Sequence, residues 1–172
     1  MENEKTLKHN KGALILLTGI PGAGKSFVSH KIVQQIPKDF IVIKINFDKT
    51  ENLLNNQTLN ENTRFSLIEQ ATASFDSLVK IDSINLITQD DLFQSDTTLI
   101  QDQDYNHIAW KENRKLVYDL VLEIVQNFVG KYELNKKLMI ILDDNFLLNS
   151  MRKPYYKLAA RCDLAYCELY VK

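Results

Sequence analysis

The sequence predicts an α/β domain, a three-layer sandwich with a central parallel sheet. Short apolar runs alternate with amphipathic helical stretches, and glycine-bearing or acidic residues follow directly at the ends of those runs. Right-handed crossovers would make the sheet parallel, and such sheets place their ligands beyond the carboxyl ends of the strands.

Residues 12–18 (GALILLT) open the pattern as a strand buried on both faces. GIPGAGKS follows, and then a helix whose stripe is Val28, Ile32 and Ile36, closed by Pro37. FIVIKINF (40–47) is a second strand, ending at Asp48. Residues 49–106 are rich in Asn, Gln, Asp, Ser and Thr and read as a polar insertion. Within it Phe65, Ile68, Thr72 and Phe75 keep helical spacing over about 61–80, while 81–106 read as loop. Periodicity returns in a long helix over 108–128, capped by Gly130. LMIIL (138–142) is a third strand, Ser150 and Pro154 mark a helix running to Arg161, and 165–171 form a fourth strand.

One domain spanning 1–172 is expected, with 45% hydrophobic and 25% charged residues. A net charge of −1 advertises neither nucleic acid nor an anionic membrane, although a local basic patch remains compatible with RNA. The polar N-terminus has no apolar core of a signal peptide, and no apolar run reaches membrane-spanning length, so a cytoplasmic protein is expected. Cys162 and Cys167 have no second pair to make a zinc site or disulfide framework. They are expected to be buried thiols in a reducing compartment.

Gly19-Ile20-Pro21-Gly22-Ala23-Gly24-Lys25-Ser26 fits G-x-x-x-x-G-K-[ST], between a strand and a helix as that pattern requires. Glycines let successive N–H groups face one anion, and the helix that begins there, through Phe27, adds its positive end. Lys25 would reach the β- and γ-phosphates of ATP, and Ser26 would offer a hydroxyl to Mg2+. The run 138–142 stops at Asp143-Asp144-Asn145, and either Asp143 or Asp144 would supply the carboxylate for Mg2+. Asp48 ends the second strand in the same way, placed to orient or deprotonate an attacking hydroxyl.

These residues resemble the L-seryl-tRNA(Sec) kinase family. The likeness lies in GIPGAGKS, in NFDK, in Trp110-Lys111 with Arg114, and above all in LDDNFLLNSMRKPYYKLAARCDLAYCELYV. In that last block the matching positions are Asp143, Asp144, Asn145, Phe146, Ser150, Met151, Arg152, Tyr156, Leu158, Ala159, Cys167 and Leu169. The resemblance covers 12–48 and 108–172. It implies a P-loop kinase that moves the γ-phosphate of ATP to the seryl hydroxyl of Ser-tRNA(Sec), in selenocysteine biosynthesis. Asp48 would activate the hydroxyl, while Lys25, Ser26 and the Asp143–Asp144 pair would hold Mg·ATP. It further implies a lid and a tRNA-gripping part after the fourth strand, so the kinase domain is expected to be truncated. Two alternatives stand beside it. One is another small P-loop kinase, and the other is a non-catalytic nucleotide-binding module related to the Elongator-associated P-loop ATPase family.

Arg152 falls near a helix N-terminus, where a cation is disfavoured, which suits either contact with a phosphate of ATP or tRNA or a plain surface role. Lys153, Lys157 and Arg161 form a basic stripe read as a solvated face, and Trp110 is expected to pack in the core beneath its helix.

Overall fold

The structure, a computed structural model, describes residues 11–47, 61–79, 86–88, 92, 107–131 and 136–172. Among the described residues, five strands and four helices follow in the order β1 (Gly12–Thr18), α1 (Lys25–Gln35), β2 (Phe40–Asn46), α2 (Glu61–Val79), β3 (Leu86–Thr88), α3 (His107–Lys131), β4 (Lys137–Asp143), α4 (Asn149–Arg161) and β5 (Leu164–Tyr170). The strands make one sheet in the order β3-β2-β4-β1-β5, and every pairing is parallel.

Helices cover both faces, as a parallel sheet requires. On one side α1 lays Val28, Ile32 and Val33 over Leu17, Val42 and Ile141. On the other, Val117, Leu120, Val121 and Ile124 of α3, together with Leu158 of α4, close over Leu14, Leu16, Ile43, Ile140 and Leu142, all fully buried. Side chains of this size each stabilise by roughly 1.5–3 kcal/mol when withdrawn from water. The central strands therefore show apolar runs rather than alternation.

Register decides where chemistry can occur. Leu17 pairs with Asp143 across β1 and β4, and Asn46 pairs with Asp143 across β2 and β4. Three carboxyl ends finish level with one another, with the glycine loop beyond the first and an acid at the second.

Within 49–106 the helix expected over about 61–80 is found at Glu61–Val79, but the described residues of this stretch are not a polar surface insertion. Ile68, Ala71 and Phe75 of α2, Ile87 of β3 and Leu92 are all buried, and β3 extends the sheet beside β2. Helix α3 also continues past Gly130 to Lys131. Cys162 is half-buried and Cys167 is exposed, because β5 is an edge strand and turns that side chain outward. Trp110 is only half-buried and lies beneath the Arg114 guanidinium, 4.5 Å from ring centroid to charge, instead of filling the core. None of the described helices is long and apolar enough to cross a membrane.

Candidate nucleotide-binding site

Strand β1 ends at Thr18, and the chain turns through Gly19–Gly24 into α1. Gly19 has φ 148°, and a Cβ there would sit 2.3 Å from the Val171 carbonyl oxygen; Gly22 and Gly24 have φ 78° and 86°. Ala23 N–H closes the turn onto Ile20 O at 3.3 Å. Gly24 is the N-cap of α1, no side chain caps that helix, and its first turn holds no acid. The first-turn N–H groups, without intrahelical acceptors, thus keep their positive end for an anion.

Beside this turn lies a cleft of about 380 Å3 lined by Pro21, Gly22, Gly24, Lys25, Ser26, Asp143 and Asn145. Lys25 Nζ donates to Gly19 O (3.1 Å), Ile20 O (3.0 Å) and Asn145 Oδ1 (2.9 Å). Ser26 Oγ donates to Asp143 Oδ2 at 2.8 Å. Ser26 reaches Asp143, not Asp144: Asp144 Oδ1 accepts from Asn145 N–H (2.6 Å) and its Oδ2 is paired with Arg114. The sequence left the two aspartates equivalent, but they face different neighbours.

The donor set suits magnesium. A hydroxyl and a carboxylate in contact are hard oxygen donors, and among the described residues no cluster of three or more His, Cys, Asp or Glu forms a closed cage. Mg2+ is commonly held by one or two protein oxygens while phosphate and water complete its shell.

Thr18 enters the site without having been singled out, and Asn145, noted only as a motif position, lines the cleft. Thr18 Oγ1 donates to Asn145 O (2.9 Å) and Phe146 O (3.2 Å), tying the end of β1 to the loop after β4. These partners lie 127 and 128 residues away, so nothing local marks Thr18. Arg152 does not point into the cleft. Its Nη1 donates to Phe146 O (2.6 Å) and Leu147 O (3.0 Å), and its Nε stands 3.1 Å from Glu168 Oε2 without hydrogen-bond alignment. Ile20 and Phe27 are exposed; the Phe27 ring lies under Lys31 on the outer flank of α1. Asp48 lies outside the described residues. Lys153, Lys157 and Arg161 stand exposed on α4.

Strand, glycine turn, helix and an acid at the adjacent strand end define an α/β domain of the P-loop type. No protein-family model matches the chain, and no curated protein matches it significantly. Among solved structures it is similar to a cysteine-to-alanine mutant of the APS kinase CysC from Mycobacterium tuberculosis. The TM-score is 0.45 at 14% identity, over 95% of this chain and 77% of that one. A likeness this distant says nothing of substrate.

Proposed function

We propose that this chain is the Mg·ATP-binding core of a cytoplasmic kinase acting on an alcohol, with the seryl hydroxyl of Ser-tRNA(Sec) as acceptor. The observation that carries the nucleotide part is the 2.8 Å contact between Ser26 and Asp143, formed beside Lys25 at the uncapped start of α1. Lys25 and the loop amides bind and orient the phosphates. Ser26 and Asp143 hold the metal, and bound Mg2+ neutralises charge on the β- and γ-phosphates. Asp144, the other aspartate considered for the metal, serves instead to fix the loop through Arg114 and Asn145 N–H.

Asp48 follows β2 by two residues, and β2 ends level with Asp143. In the proposed reaction its carboxylate takes the seryl proton as the oxygen attacks the γ-phosphorus. The bond from that phosphorus to the β,γ-bridging oxygen breaks, and ADP leaves. Positioning and charge neutralisation suffice, with no covalent enzyme intermediate. The acceptor rests on the resemblance to the L-seryl-tRNA(Sec) kinases, above all over residues 142–171.

The test is transfer of labelled γ-phosphate to Ser-tRNA(Sec), compared with free nucleosides and with uncharged tRNA. Label on Ser-tRNA(Sec) alone, lost in Lys25→Ala, supports the proposal. Label on nucleosides instead replaces it with another small P-loop kinase. A second reading is favoured by the engagement of both arginines beside the site, Arg114 with Asp144 and Arg152 with the 146 and 147 carbonyls. That reading is a non-catalytic module akin to the Elongator-associated P-loop ATPases, and it predicts Mg·ATP binding with no transfer.

A further inference from the structure

The loop after β4 is held more tightly than a solvated turn requires. Asn145 N–H donates to Asp144 Oδ1 at 2.6 Å, and Asn145 O accepts from Thr18 Oγ1 at 2.9 Å and Gly19 N at 3.4 Å. Phe146, next in the chain, has φ 30° and a fully buried ring, packed edge-on to Phe47 (5.3 Å) and Tyr155 (5.6 Å). A non-glycine residue persists there only where its surroundings over-determine it, and such positions cluster at functional sites. What this scaffold presents to the phosphate cleft is Asn145, which lines it together with Gly22, Gly24 and Lys25 and whose Oδ1 meets the Lys25 ammonium.

We infer that Asn145 reads the terminal phosphate of the bound nucleotide, an inference that rests on the Mg·ATP reading above. An ammonium has three protons and only donates. Lys25 spends those protons on three acceptors, the Gly19 and Ile20 carbonyls and Asn145 Oδ1. A phosphate oxygen that joins the lysine must replace one of them. The two carbonyls belong to the loop backbone, whereas the amide turns about its own side-chain torsion. Half a rotation replaces the Oδ1 acceptor with the Nδ2 donor, the group a phosphate oxygen needs. A side chain that carries both a donor and an acceptor can thus serve the lysine in one state and the phosphate in the other. Lys25 reaches the β- and γ-phosphates, so Asn145 beside it meets the γ-phosphate, which ADP lacks.

The experiment is calorimetric titration of the full chain and its variants with Mg·ADP and with a non-transferable Mg·ATP analogue. Asn145→Ala should bind Mg·ADP within twofold of the parent and lose roughly ten- to a hundredfold for the triphosphate, the usual worth of a hydrogen bond to a charged group. Asn145→Asp should lose more for the triphosphate, because a second anion then faces the γ-phosphate. Equal losses for both nucleotides, or none for either, overturn the inference while leaving the Mg·ATP reading intact. A parent chain that binds neither nucleotide overturns both.

Discussion

Arg114 and Asp144 form an ion pair nearly out of contact with water, their side chains 16% and 6% exposed. The guanidinium also lies 4.5 Å from the Trp110 ring, 5.3 Å from Phe47 and 5.5 Å from Phe146. Removing one partner strands a buried charge, which typically costs about 3–5 kcal/mol. Arg114→Met should therefore lower the urea-unfolding free energy by that amount. Combining it with Asp144→Asn should recover part of the loss, since neither charge is then stranded. A double variant as unstable as the sum of the singles would show that the two residues act independently.

Gly19 and Gly22 separate steric from conformational need. Alanine at Gly22 meets no atom within 4 Å but must adopt φ 78°, a left-handed conformation worth roughly 1–2 kcal/mol against it. Alanine at Gly19 adds an approach of 2.3 Å to the Val171 carbonyl, so the chain just past β5 must move. Thermal melts should show Gly19→Ala as clearly the less stable variant. Equal melting temperatures would mean that the chain yields freely at Val171, just past β5.

Much of this architecture was legible before the structure. Strands expected at 12–18, 40–47, 138–142 and 165–171 are found at Gly12–Thr18, Phe40–Asn46, Lys137–Asp143 and Leu164–Tyr170. Buried parallel strands announce themselves as apolar runs, and GIPGAGKS is a local pattern. Strand β3 has only three residues, too few to show a period; it exists because Val42 and Lys44 offer Leu86 and Thr88 a ladder. The same limit hid how the site is wired. Asp143 and Asp144 are chemically identical in sequence, and what distinguishes them is Ser26, 117 positions away from one, and Arg114, 30 positions from the other. Asn145 was visible as a motif position, but its partner Lys25 is 120 residues distant.

Asp119 on α3 gives a pH signature. Burial is the main cause that raises its carboxyl above the ordinary 3.8, aided by Glu112, while Arg64 at 3.4 Å and Lys115 oppose the rise. With the folded value raised, the folded state holds its proton longer than the unfolded one. Stability from this group is thus fully present below the unfolded value and lost as pH climbs through the folded one. Asp119→Asn removes that loss. Its melting temperature relative to the parent should rise from acid toward neutral pH and then level off. If the variant instead falls behind the parent as pH rises, attraction to Arg64 outweighs burial.

Magnesium dependence examines the Ser26–Asp143 contact most directly. Ser26→Ala removes the hydroxyl and Asp143→Asn the charge, while neither touches Lys25 or the glycine turn. If those two oxygens hold the metal, both variants lose the part of ATP affinity that magnesium confers and keep the metal-free part. Binding to the folded state alone stabilises it by about 2.7 kcal/mol at a hundred times Kd. The parent should therefore melt markedly higher with Mg·ATP than with ATP and chelator. In Asp143→Asn the two melting curves should nearly coincide, with metal-free ATP bound at least as well as by the parent because one anion beside the phosphates is gone. A full magnesium response in both variants would place the metal elsewhere and remove the argument for a P-loop kinase site at the ends of β1 and β4.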